Sequence, residues 1–139
     1  MRLKNIYGTY VNRNVSKYLI DWDGECRSKV QFNTKQFLKQ YWSNHIVYEE
    51  FPVYGSKMKV DILNATKKIA IEVQGKQHYS FNKHFHNNSR LKYLQALKRD
   101  VKKFDWLELN GFTVVEIKEE EVPLLTRKFF EDKFGVFLY

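Results

Sequence analysis

The sequence predicts an α/β fold, α+β at the margin, in which a mixed central β-sheet is flanked by helices. Three observations carry that expectation. Three short β-prone runs follow one another between residues 46 and 74, one helical stripe of apolar residues extends over 89–110, and a fourth β-prone run follows at 112–117. No repeat, low-complexity tract or Gly/Pro-rich linker interrupts the 139 residues, which hold six glycines and two prolines, so a single domain is expected over 1–139. Within it an N-terminal extension takes residues 1–44, the core 45–118 and a C-terminal helix 119–139.

In chain order, Tyr18-Leu19-Ile20-Asp21-Trp22 is apolar and β-prone and meets the turn signal Asp23-Gly24, so a short strand or hairpin is expected there. Asn33 or Thr34 can cap a helix running through Trp42, with Phe37, Leu38, Tyr41 and Trp42 on one apolar face. Ile46 to Val53 is rich in β-branched and aromatic residues, Tyr54-Gly55-Ser56-Lys57 reads as a turn, and Met58 to Leu63 and Ile69 to Gln74 are two further strands. Because strand side chains alternate, Ile69, Ile71 and Val73 share one face and leave Ala70, Glu72 and Gln74 on the other. Likewise Met58, Val60 and Ile62 oppose Lys59, Asp61 and Leu63, and both apolar triplets should face a core. A polar, His-rich loop covers Gly75 to about Asn88. In the long helix Leu91, Leu94, Leu97, Val101, Phe104 and Leu107 form one stripe expected to pack on the sheet, and Gly111 marks its end. Phe112 to Ile117 is the fourth strand, and a last short helix is expected after Pro123, ending near Lys133.

At 43% hydrophobic and 17% aromatic the chain can bury a core, which excludes a disordered basic tail. It holds no run approaching the ~20 apolar residues of a membrane span and no secretion signal, so no membrane partner and a soluble, cytoplasmic protein are expected. The single Cys26 excludes an internal disulfide framework and fits a reducing compartment, with an ordinary small side chain as its expected role. With 24 Lys and Arg against 16 Asp and Glu, the formal charge of +8 favours a polyanionic partner through counterion release.

The residues that could do chemistry cluster around the second and third core strands. Polar side chains on the non-core face ordinarily meet solvent, and Asp61, Glu72 and Gln74 could simply line a wet sheet surface. Against this, a hairpin brings Asp61 and Glu72 together, where two carboxylates repel unless a cation lies between them. Such a pair suits Mg²⁺, which prefers oxygen ligands and keeps several waters. Gly75 then permits an abrupt turn and His78 follows, a proton-transfer group near a metal pair. His84 and His86 read as surface residues; a zinc site with His78 would match no common spacing. Asp100, the one acid between Gly75 and Lys103, either pairs with its basic neighbours or orients an imidazole.

Beyond composition, Asp61 followed by Ile71-Glu72-Val73-Gln74-Gly75 resembles the PD-(D/E)xK nuclease core, with Gln74 where Lys is usual. Glu50 before Phe51-Pro52-Val53, Asp61, Glu72-Val73-Gln74-Gly75-Lys76-Gln77-His78, Arg99-Asp100 and Leu109-Asn110-Gly111-Phe112 together resemble the branch containing the very short patch repair endonuclease, and within it phage homing endonucleases of the EDxHD type. That resemblance covers residues 45–118. It implies a restriction-endonuclease-like core and metal-dependent hydrolysis of DNA phosphodiester bonds in a phage or bacterial host. It further implies Asp61 as a direct Mg²⁺ ligand, with Mn²⁺ as substitute, and Glu72 or the Val73 carbonyl completing the site. His78 would activate water or stabilise phosphate, Asp100 would orient His78, and Glu50 matches the first acid, with Glu49 as its rival. Since Gln74 cannot act as a base or supply positive charge, proton transfer shifts to His78 and charge to Lys76. The alternative is a non-catalytic or structure-specific nucleic-acid-binding module on a nuclease-like fold.

The positive charge is unevenly placed: residues 75–103 hold eight basic and one acidic side chain, residues 104–139 four and eight. Lys76, Lys98, Arg99, Lys102 and Lys103 are therefore the expected contacts to double-stranded DNA. One active site cuts one strand, so a double-strand break would call for a homodimer or sequential nicks. Target recognition would fall to residues 1–44 or to a longer chain.

Overall fold

The computed structural model describes residues 1–26, 28–75 and 87–139. Its centre is a four-stranded mixed sheet in the order β3-β4-β5-β6, formed by Val47–Pro52, Lys59–Asn64, Ile69–Gln74 and Thr113–Lys118. The first three strands form an antiparallel meander, and β6 pairs parallel with β5. A parallel neighbour requires a crossover, and the connection includes the 23-residue helix α2, Asn87–Leu109. Helix α1 is Lys29–Trp42 and α3 is Arg127–Phe134. The chain is thus a mixed α/β protein with helices flanking a mixed sheet.

Two apolar clusters lie on the two sides of this sheet. On one side Trp106 and Leu107 of α2 pack with Tyr48, Leu63, Ala70 and Phe112. On the other, Leu38 and Trp42 of α1 and Phe130 of α3 pack with Ile62, Ile71, Val115 and Ile117. Both faces of β5 are consequently covered: Ala70 and Ile71 are fully buried, and so, nearly, are Glu72 and Gln74. The wet sheet surface does not exist at Glu72.

Three local expectations are corrected. The N-terminal hairpin is not at Tyr18–Gly24 but at β1, Arg2–Lys4, paired with β2, Tyr10–Asn12. Residues Ser16–Tyr18 form a 3-10 turn, and Leu19 makes only an isolated bridge to Tyr48. Helix α1 begins a turn and a half earlier than Asn33, with Ser28 as its cap: the Ser28 hydroxyl accepts from the Gln31 N–H at 3.3 Å. Thr34 lies inside the helix, its hydroxyl donating to the Val30 carbonyl at 2.9 Å. The last helix follows Pro123 as expected: Pro123 lies within a 3-10 turn, Glu119–Leu124, and α3 runs from Arg127, under a Thr126 cap, to Phe134.

The third correction concerns α2. Leu107 is fully buried, but Leu91, Leu94, Leu97 and Val101 are 58%, 52%, 38% and 57% exposed. A 23-residue helix is roughly 34 Å long whereas a six-residue strand is about 20 Å, so the N-terminal turns of α2 overhang the sheet. Among the described residues of α2, it is those of the C-terminal turns that pack on the strands. The N-terminal hairpin is fastened to that end: the Trp106 indole N–H donates to the Lys4 carbonyl at 2.7 Å, and the Lys4 N–H donates to Asn110 Oδ1 at 2.8 Å.

Candidate functional site

The site is built where a strand ladder stops. β4 and β5 pair at Asn64–Ile69, Leu63–Ala70 and Ile62–Ile71, and the next residues in that register are Asp61 and Glu72. There the ladder gives way to side-chain bonds. The Asp61 N–H donates to Glu72 Oε2 at 3.3 Å, and the Val73 N–H donates to Asp61 Oδ2 at 2.8 Å. Each carboxylate thereby takes a backbone donor from the opposite strand. On the far side of β4 the pairing with β3 also lapses at this row: Glu49–Ile62 and Phe51–Val60 are in register, while Glu50, opposite Asp61, has φ +49°. The core faces exchange at this point, because Ile62 packs on the α1 side but Val60 and Phe51 on the α2 side. A left-handed non-glycine residue costs roughly 1–3 kcal/mol, so the surrounding packing must hold Glu50 there.

Glu72 is 2% exposed and its second carboxylate oxygen faces α2. The Lys103 ammonium stands 2.6 Å from Glu72 Oε1, and no other donor among the described residues reaches that oxygen. Burial first, and then the Asp61 charge, pushes the Glu72 carboxyl well above its ordinary value; Lys103 opposes both. Burial acts most strongly, to lower the Lys103 ammonium, but the charge and hydrogen bond of Glu72 together with the charges of Asp61 and Asp100 offset it and leave Lys103 raised. Asp100, three residues earlier and one turn along α2, adds to the field that keeps Lys103 protonated.

The expected residues are placed as follows. Asp61, Glu72 and the Val73 backbone come together, with Val73 contributing its N–H. Gln74, the next inward residue of β5, is buried. Lys98, Arg99 and Lys102 are exposed along α2, whereas Lys103 points inward to Glu72. Glu50 shares the strand row of Asp61, but its Oε1 accepts from Gln31 Nε2 of α1 at 3.2 Å. Glu49 is committed elsewhere: its Oε2 is 2.9 Å from the fully buried Lys35 ammonium, and its Oε1 accepts from the Asp21 N–H at 3.0 Å. Lys76, His78, His84 and His86 lie outside the described residues. Cys26 lies near Lys35, and burial raises its thiol above the ordinary value.

Two features escaped sequence reasoning. Lys103 looked like one cation in a basic run, although it lies four residues before Leu107 on the inward face. Glu116 stands opposite Glu72 in the parallel β5–β6 register, exposed at the margin of the site.

No protein-family model matches the chain, and no solved structure is significantly similar to it. Over 66 residues, 48% of the chain, it is 33% identical to an uncharacterized protein, 033L, of Invertebrate iridescent virus 3. The match covers 34% of that viral protein, so the chain spans about a third of the curated relative it matches. No helix among the described residues is long and apolar enough to cross a membrane.

Proposed function

We propose that the chain is a divalent-metal-dependent DNA endonuclease, hydrolysing phosphodiester bonds on a restriction-endonuclease-like core. One observation carries the proposal: Asp61 and Glu72 interlock at the point where the β4–β5 ladder ends, with Lys103 of α2 set against them. The donor set suits a hard cation. Two carboxylates meet, and the buried Glu72 Oε1 has no partner among the described residues besides the Lys103 ammonium. No group of three or more His, Cys, Asp or Glu able to hold a metal occurs among the described residues, so a Mg²⁺ or Mn²⁺ ion there would rest on Asp61, Glu72 and water. When bound, such an ion lowers the pKa of a coordinated water and shields charge on the phosphoryl oxygens.

The chain's own residues supply the rest. The Val73 N–H fixes the Asp61 carboxylate, and the Asp61 N–H fixes that of Glu72, so neither turns freely. Lys103 brings positive charge to the place where Gln74 cannot, and Asp100 adds to the field of Glu72 and Asp61 that favours the charged ammonium. His78 is proposed as the proton acceptor for the attacking water, in keeping with the nuclease resemblance. Arg99, Lys102 and Lys98 would hold the flanking phosphates.

The experiment is cleavage of plasmid DNA in Mg²⁺ or Mn²⁺. Asp61→Ala and His78→Ala should abolish cleavage while circular dichroism stays native; full activity in both variants would overturn the assignment. Gln74 favours a second reading, a nucleic-acid-binding module without catalysis, because a buried amide stands where a lysine would serve a nuclease. Binding indifferent to EDTA, without nicking in either metal, would select it.

A further inference from the structure

The N-terminal extension has a place in the molecule that its sequence did not reveal. The loop joining β1 to β2 lies against both α2 and the β3–β4 turn. Its Ile6 N–H donates to the Tyr54 carbonyl at 3.0 Å, and the Tyr54 hydroxyl donates to the Met1 carbonyl at 2.7 Å. With the bonds from Trp106 and Asn110 to Lys4, this fixes the hairpin to two other elements. The approach is close enough to require glycine: Gly55 has φ +86°, and a Cβ there would meet Ile6 Cγ1 at 3.1 Å.

Between these three elements run two clefts, of about 440 and 320 Å³, that share Ile6 and Lys102 in their walls. Lys57 and Arg99 line one, and Tyr7 and Asp105 the other. Lys57, Arg99 and Lys102 are exposed, and none has an ion-pair partner among the described residues. Three cations against one carboxylate leave the groove positive. The Tyr7 ring beside it is 80% exposed. An open ring among unpaired cations suits a strand of bases on a phosphate backbone. The groove also adjoins the site, since Arg99 and Lys102 alternate along one helical turn with Asp100 and Lys103, and Lys57 precedes the strand that bears Asp61.

We infer that this groove holds one strand of nucleic acid beside the candidate site, with phosphates on Lys57, Arg99 and Lys102 and a base or sugar against Tyr7. The inference rests on the proposal that the chain acts on DNA, and it gives residues 1–12 a role in strand placement. Because Lys103 is turned inward, it takes no part in this contact.

The test is fluorescence anisotropy with duplex and single-stranded DNA oligonucleotides in EDTA, so that no cleavage intervenes. Lys57→Glu/Arg99→Glu is compared with Arg127→Glu/Lys128→Glu on α3, across the sheet, which changes net charge equally. The groove variant should lose ~10-fold or more in affinity and flatten the salt dependence by about two contacts, while the α3 variant stays near the parent. Tyr7→Ala should weaken single-strand binding by roughly 5- to 100-fold without altering the salt slope, as the loss of one stacking contact does. Lys57→Gln/Arg99→Gln repeats the test without introducing carboxylates. Equal loss in the groove and α3 variants, or none in either, overturns the inference. Its failure is separable from that of the nuclease proposal: groove-dependent binding without cleavage in metal sinks the nuclease and spares the groove, and cleavage by the groove variant at the parent affinity does the reverse.

Discussion

Replacing Lys103 by methionine should destabilise the metal-free protein by an amount that grows with pH. Lys103 is 16% exposed in its side chain and Glu72 3%, with 2.6 Å between the charged atoms. At an effective dielectric of ~20, Coulomb's law puts their attraction at about 6 kcal/mol, an upper bound because both charges were desolvated to make it. Removing one partner of a buried pair costs roughly 3–5 kcal/mol, since the other remains uncompensated. Glu72 has one escape, which is to take a proton. Its carboxyl is already raised by burial and by Asp61, and losing Lys103 raises it further. An acid whose folded pKa exceeds its unfolded value binds more protons in the native state. Its contribution is therefore most favourable below the unfolded value of ~4.3 and falls as pH climbs through the folded one. The variant widens that gap.

Urea denaturation in EDTA at pH 4.5, 6 and 8 measures the consequence. The loss should approach ~3–5 kcal/mol at pH 8 and shrink towards pH 4.5, as the raised carboxyl of folded Glu72 takes up a proton and no longer needs a cation. Glu72→Gln added to Lys103→Met should restore most of it, giving a coupling energy of at least about 2 kcal/mol at pH 8. A loss that is the same at all three pH values, or below ~1 kcal/mol at pH 8, would refute the buried pair, since an exposed pair contributes no more than that.

Other substitutions check the fold around the site. Leu107→Ala should cost ~2–5 kcal/mol in urea unfolding, whereas Leu94→Ser, on the same sequence stripe but exposed, should stay within about 0.5 kcal/mol. Lys35→Met, which strands Glu49 and the Gly24 carbonyl, should cost ~3–5 kcal/mol; Lys39→Met, which breaks only the exposed pair with Asp23, should cost less than ~1 kcal/mol. Gly55→Ala and Gly135→Ala both put a Cβ at positive φ, a penalty of roughly 1–2 kcal/mol. Gly55→Ala should be worse, because Ile6 stands in the way while nothing lies within 4 Å at Gly135, and thermal melts compare the two directly.

The strands around the site were legible because alternation and turn residues are local: the third core strand lies at Ile69–Gln74 in both the sequence pattern and the structure. Alternation also put Glu72 and Gln74 on one face, but a period of two cannot say whether that face meets water or a helix. Helix α1 shows the same limit from the other side. Its buried face includes Gln31, Thr34 and Lys35, and hydropathy passes over them because Gln31 and Lys35 are partnered by Glu50 and Glu49, which arrive on another strand, and Thr34 bonds back to the Val30 carbonyl. The start of the helix was accordingly read too late. A polar residue can belong to a core whenever its partner is brought by the fold, and such partners are distant in sequence by nature.

The basic run of α2 makes the point for function. By composition Lys98, Arg99, Lys102 and Lys103 are equivalent cations, and a charge count assigns all four to the phosphate backbone. The helix separates them, because each residue is turned about 100° from the one before. Leu107 is the stripe residue that reaches the core, and one turn before it the same face carries Lys103, then Asp100 a turn earlier. Arg99 and Lys102 fall on the neighbouring face, against the hairpin loop. One ammonium therefore answers the carboxylates inside while its neighbours stay open to an anion outside. Charge composition pointed to a polyanion, but the division between an inward ion pair and outward cations follows from the anchoring of α2 at Trp106 and Leu107.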